Sequence, residues 1–416
     1  MTKQFRLLLS VVIMCLSACN APYPTSTAPT PVPSLTPIAS PKIDRHPAPA
    51  DFHRRALASV PTYDPNSDNP FQIDLRSYDL SSLDLSGSLS DLSYATFDDR
   101  TLWPSDDHMP KGFEWKRIME LGKNSGLGVR SLHARGITGR GVSIAIIDQP
   151  LLVEHQEYAS RLQWYEEINV ISTTESQMHG AAVASIAVGK TVGVAPEATL
   201  YYIGSWTGDF GSAGSFTWNF RYYAQAIRRI LEINQQLPEA QRVRVISMQV
   251  GWSPEQAGYD EITAAVEEAK AAGVFVVCSS IENVYGFKFH GLGRSPLADP
   301  DAFESYEPGL WWAQEFYAGE QFSDRLLIPM DSRTTASHTG IDEYVFYREG
   351  GWSWSIPYIV GVYALAAQVK PSITPQQFWT LAMETGRTVE LKHEGQTISM
   401  GPIIDPVALI NELLSK

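Results

Sequence analysis

The sequence predicts an α/β fold with a mostly parallel central sheet covered by helices on both faces. Two patterns predict it. Short runs of β-branched and other apolar residues recur through the chain after about residue 125, each of strand length. Longer stretches with apolar residues at helical spacing separate them. A strand buried on both faces reads as a continuous apolar run rather than an alternating one, and strand–helix alternation is how parallel strands are joined.

The first strand is "GVSIAIID" (141–148), followed by a helix over "GAAVASIAV" (180–188). A second strand, "ATLYYIG" (198–204), leads to a helix over "FRYYAQAIRRILEINQQ" (220–236). The third strand, "VRVISMQVG" (243–251), precedes a helix over "DEITAAVEEAKAA" (260–272), and the fourth is "GVFVVCSS" (273–280). Near the end, "GGWSWSIPYIVGVYALAAQ" (350–368) carries an apolar helical stretch that Pro357 is expected to start. In "TPQQFWTLAMETG" (374–386), Thr374 is an N-cap, Pro375 the first helical residue and Gln377 the closing member of a capping box.

Upstream of these elements the composition is different. Lys3 and Arg6 precede "LLLSVVIMCLSAC" (7–19), an apolar run too short to span a bilayer but suited to a signal peptide. Its end, Leu16-Ser17-Ala18-Cys19, resembles the lipobox of bacterial lipoproteins, which implies a diacylated Cys19 as the first mature residue. Residues 20–45 read as a tether. The segment 20–41 is rich in Pro, Thr and Ser and uncharged, so it buries no core and reaches about 3.1 Å per residue, ~70 Å in all. Residues 46–124 form an N-terminal extension in which an Asp-Leu-Ser-like unit recurs over 72–99. It reads as a half-buried extended lead-in packed on the main domain, with a removable propeptide as the alternative.

The net charge of −14 argues against nucleic acid or an anionic bilayer surface as the main electrostatic partner. Of three cysteines only Cys278 lies outside the leader, so the body holds no disulfide. Cys278 reads as a buried strand residue without metal-ligand spacing.

Side chains that act on a substrate gather beyond the carboxyl ends of strands in open α/β sheets. Asp148 ends the first strand directly after the four apolar residues 144–147, where an unpaired carboxylate is costly, so it requires a donor. His179 opens a helix whose next residues are Gly and Ala. Ser353 follows two glycines at the head of another helix. A carboxylate orienting an imidazole that takes a proton from a serine hydroxyl is the chemistry of acyl transfer. Ser355 and His155 are the rivals; "VEHQEY" around His155 reads as a polar surface segment.

From about 125 to 390 the chain resembles a subtilisin-like serine peptidase. "GRGVSIAIIDQP" resembles the family's Asp motif. His179-Gly180 with Gly193-Val194-Ala195-Pro196 resembles the His motif. Gly351, Ser353 and Pro357 match the Ser motif, in which Trp352, Trp354 and Ser355 depart from the usual Thr, Met and Ala. The order Asp, His, Ser suits this family and not the α/β-hydrolases.

The resemblance implies a subtilisin-like three-layer catalytic domain over 125–416, with Asp148, His179 and Ser353 as triad. It also implies an oxyanion-stabilising Asn283, although strict spacing puts Glu282 there. Gln249, Val250, Gly251 and Ser280 would line the substrate cleft, where Gln249 and Trp252 replace smaller residues. The same Trp252, Trp352 and Trp354 suit ordinary packing equally well. No cofactor is assignable; calcium enters by family resemblance alone, with no Asp-rich loop to hold it. The expectation is a serine endopeptidase of peptide substrates, lipid-anchored outside the cytoplasmic membrane. The alternative is a catalytically silent binding lipoprotein of the same fold.

Overall fold

In the computed structural model, six strands, all parallel, form the main sheet: β1 (Lys42–Ile43), β2 (Ser143–Asp148), β3 (Leu162–Ile168), β4 (Thr199–Ser205), β5 (Val243–Met248) and β6 (Phe275–Cys278). Their order is β1-β3-β4-β2-β5-β6. The structure describes residues 40–416 except 52–54, 68, 70, 212–214 and 320–322; the leader, Cys19 and nearly all of the tether lie outside the described residues. Pro41–Lys416 form one compact unit.

The helices pair off around the sheet. On one side α1 (Met178–Val188) packs on α4 (Trp352–Val369); on the other, α2 (Arg221–Gln236) packs on α3 (Tyr259–Ala271). Both pairs touch the central strands, so every residue of β2 is buried, and its continuous apolar run follows from that double cover. Strand register sets the location of the site. Asp148 lies beside Gly204 of β4, and Ile147 beside Met248 of β5, so three central strands finish together with Asp148 at their lip. Helix α5 (Pro375–Thr385) carries the predicted cap: Gln377 donates its main-chain N–H to the Thr374 hydroxyl, and Thr374 N–H returns a bond to the Gln377 side chain.

Three expectations change. The chain is ordered as early as Lys42, inside the predicted tether: β1 pairs with β3, and Arg45 holds both carboxylate oxygens of Glu167 at 2.6 Å. Helix α4 starts at Trp352, not at Pro357. Pro357 lies in its second turn, where the missing N–H leaves the Ser353 carbonyl without its helical partner. That helix is buried along nearly its whole length, and packing on this scale outweighs local propensity. His155 is fully buried, not on the surface. Its ring stacks on Tyr158, meets Tyr344 edge-on and bonds the Glu343 carbonyl. Neighbouring Glu157 is buried too, accepting from Thr191, Val192 and Tyr344. The polar letters of this segment satisfy one another inside the protein.

The extension is woven into a second sheet. Strands Ile73–Asp74 and Ala95–Asp98 join the pair Tyr344–Tyr347 and Arg333–Ala336. Beneath them Leu75, Leu80, Leu85, Leu92, Phe97 and Phe113 close over Val192 and Phe346 of the main body in a core of their own.

Candidate active site

Asp148 is 2 % exposed, and its Oδ1 accepts both the main-chain N–H of Gln149 at 2.7 Å and a bond from His179 Nδ1 at 2.8 Å. The glycine after His179 makes this approach possible. A Cβ on Gly180 would lie 2.5 Å from both the Gln149 carbonyl and the Tyr202 hydroxyl, so a side chain there would lift α1 off the strand end. His179 has 22 % of its side chain exposed. Burial opposes protonation of its ring, but the charge and hydrogen bond of Asp148 outweigh that and raise its pKa above the usual histidine value.

The first turn of α4 lies against the imidazole: the Trp354 ring is 5.5 Å from that of His179, edge to face. Ser353, the residue before Trp354, is half-buried at the second position of the helix, and its hydroxyl forms no hydrogen bond among the described residues. Gly351 precedes the helix at φ +92°, a conformation that suits glycine. Ser355 is turned inward, fully buried, with its hydroxyl on the Pro329 carbonyl. Of the two serines, only Ser353 reaches solvent.

The segments Val250–Trp252 and Ser279–Ser280 pack against each other. Ser279 N–H donates to the Val250 carbonyl, Trp252 N–H donates to Ser280 Oγ at 3.0 Å, and a Cβ on Gly251 would lie 2.9 Å from the same oxygen. Gln249 is buried; its Nε2 donates to Ser247 Oγ, while its Oε1 has no partner among the described residues. The indole N–H groups of Trp352 and Trp354 are likewise buried without partners among the described residues. Asn283 does not join this group. It is exposed on a short helix, Ile281–Tyr285, and lines a cavity of about 350 Å³ with Trp252, Tyr259 and Thr263. Glu282 pairs instead with Lys288 at 3.4 Å. Cys278 is buried in β6, where desolvation pushes its thiol up to about 12. Among the described residues no group of three or more His, Cys, Asp or Glu side chains is placed to hold a metal ion.

Residues 139–306 match the Subtilase family. The matched segment contains Asp148 and His179 and ends before Ser353. A subtilisin-like protease of Coccidioides posadasii is 28 % identical over 163 residues, 38 % of this chain and 37 % of that protein. The subtilisin-like protease PopC of Myxococcus xanthus is 33 % identical over 85 residues, 18 % of each chain. The matches therefore span well under two thirds of the length of these curated relatives. Among solved structures, the prenylagaramide maturation protease PagA aligns with a TM-score of 0.45 and 15 % identity, over 70 % of this chain and 99 % of its own.

One residue beside the subtilase-like site escaped the reading of the sequence. Asp331 is buried behind the Ser353 turn and bonds its backbone. It follows the apolar run "LLIPM", the same signal that singled out Asp148.

Proposed function

We propose that this chain is a serine endopeptidase in which Ser353 attacks the scissile carbonyl, His179 takes the hydroxyl proton and Asp148 orients and charge-balances the imidazole. The observation that carries the reading is the 2.8 Å bond between Asp148 and His179 at the lip of the parallel sheet, beside the helix headed by Ser353. His179 then delivers its proton to the leaving amine, giving an acyl-enzyme on Ser353 that water hydrolyses. A Ser353 hydroxyl free of other hydrogen bonds is available to turn toward the imidazole; such bonds are often loose until substrate arrives. The oxyanion would form beside the N-terminus of α4, where the main-chain N–H of Ser353 and the helix dipole favour negative charge.

The cleft wall of Val250, Gly251 and Ser280 would take an extended peptide, with Gln249 and Trp252 narrowing it. By the lipobox resemblance the enzyme is anchored at Cys19 outside the cytoplasmic membrane; Cys19→Ala is expected to move it from the membrane to the soluble fraction, and unchanged fractionation would refute the anchor. A second reading, a silent binding protein of the same fold, is favoured by the candidate oxyanion positions, of which Glu282 pairs with Lys288 and Asn283 lines a cavity with Tyr259 and Thr263.

A fluorophosphonate probe decides between them. It is expected to label the purified protein on Ser353, with labelling absent in Ser353→Ala. No label on the folded wild-type protein would support the silent reading, and label persisting in the variant would remove Ser353 from the mechanism.

A further inference from the structure

The backbone leading into Ser353 is tied down by a carboxylate from elsewhere in the chain. Asp331 follows the strand Leu326–Pro329 and is 2 % exposed. Each of its oxygens takes one main-chain N–H: Oδ1 from Gly350 at 2.8 Å, Oδ2 from Leu310 at 2.9 Å. Among the described residues no cation forms an ion pair with it, although charges buried without a partner are rarely retained.

The location of this charge is informative. Gly350 and Gly351 have no side chains to fix their turn, and Gly351 is at φ +92°. What holds them is backbone contact with the segment Met330–Ser332: a Cβ on Gly350 would lie 2.4 Å from the Met330 carbonyl, and Ser332 N–H donates to the Arg348 carbonyl. Through Leu310 the same carboxylate reaches the turn Leu310–Trp312, whose Trp311 ring lies 5.7 Å from that of Trp352. Asp331 therefore braces the serine turn from two sides.

We propose that Asp331 is a positioning residue for the reaction: its ionised carboxylate fixes the Gly350–Gly351 turn and thereby the direction in which α4 presents Ser353 to His179. The inference rests on Ser353 being the nucleophile. It needs the charged form, because a carboxylate accepts more strongly from two amides than a carboxylic acid does. Four charged or titratable groups surround it. Arg348 favours the ionised form, and its guanidinium bonds the carbonyls of Ser93 and Arg294. Glu349, which accepts from Phe71 N–H, opposes it. Arg294 bonds main-chain carbonyls, among them that of Ser332, and Tyr63 approaches from the N-terminal extension. Burial is the strongest influence and pushes Asp331 up to about 6.

Two proton-dependent events then limit the reaction on the acid side. His179 must be neutral to act as base, and Asp331 must be ionised to hold the turn. The test is the rate of fluorophosphonate labelling of the full chain from about pH 5 to about pH 8, with the labelled residue identified by mass spectrometry and folding followed by near-UV circular dichroism. In the wild type the rate is expected to fall with the first power of proton concentration as His179 is protonated, then with the second power below pH about 6. In Asp331→Asn the second-power region is expected to vanish. The rate at neutral pH should fall by roughly ten- to a hundredfold, as for a nucleophile misplaced by about 1 Å. An Asn side chain keeps one acceptor oxygen and sets an N–H₂ donor against the second main-chain N–H, so Tm is expected to fall modestly in Asp331→Asn; the loss of the second-power region in the folded variant is the readout that a merely structural role would not move. Wild-type labelling of Ser353 that stays first-power throughout overturns the inference, and this outcome needs no variant to fold. A folded Asp331→Asn protein labelled at the wild-type rate overturns it as well. Absence of label on Ser353 in the wild type overturns the serine-nucleophile reading and the inference with it.

Discussion

Asp148→Ala is expected to lower turnover on the order of 10⁴-fold, the scale of losing the carboxylate member of such a triad. The magnitude follows from what Asp148 does for one ring. Its Oδ1 fixes the Nδ1 side of His179 at 2.8 Å, and in the proposed mechanism this leaves Nε2 to take the serine proton. Its charge offsets the positive imidazolium that forms when the proton is taken, and it is the cause of the raised His179 pKa. Asp148→Asn separates the two contributions. An amide oxygen at the Oδ1 position can accept from both His179 and Gln149, so orientation survives while charge is lost. The pKa of His179 then falls, and the acid limb of the activity profile moves to lower pH as the maximal rate drops. Steady-state kinetics of the three proteins across pH, with Tm as the control for folding, measures this. A loss under about tenfold in a folded Asp148→Ala protein would remove Asp148 from the reaction.

Much of this site was legible because its chemistry conflicts with its surroundings. A carboxylate closing an apolar strand, as in "IAIID", demands a partner, and the structure supplies His179 there. Strands β2, β4, β5 and β6 were legible for the converse reason: burial on both faces leaves few polar residues to blur the pattern, Arg244 of β5 being one. The reading failed where polar groups pair with one another across long sequence distances. His155 and Glu157 look like surface residues until Tyr344, Thr191 and Glu343 are brought to them by the fold. Pro357 looks like a helix start because its neighbours cannot report that Ile356 to Ala367 are buried and held by tertiary packing. Asn283 was assigned by motif spacing, which does not report the short helix Ile281–Tyr285, closed by Gly286 at φ +74°, that carries it.

Removal of residues 41–125 is expected to abolish folding, not to release an active domain. A propeptide detaches from a body that stands without it, whereas this extension supplies interior. The strand Ala95–Asp98 pairs with Tyr344–Tyr347, the hairpin strand that runs directly into the Ser353 turn. Without it that strand becomes an open, apolar edge, a template for aggregation. Phe97 is fully buried and meets the rings of Trp103, Phe113 and Phe346; deleting one such buried aromatic side chain costs about 3–5 kcal/mol, and the truncation removes a whole cluster. Also lost are bonds that cross to the body, from Arg100 to Glu343 and to the Thr339 carbonyl. An ordinary domain has a net stability of only about 5–15 kcal/mol, and exposing Val192, Phe346 and the Tyr344–Tyr347 edge to water weighs heavily against it. A chain beginning at Gly126 should therefore show no cooperative thermal transition and no probe labelling, and the N-terminus of the mature protein should lie upstream of Lys42. A soluble truncated protein that unfolds cooperatively and labels on Ser353 at the full-length rate would establish the extension as a dispensable leader.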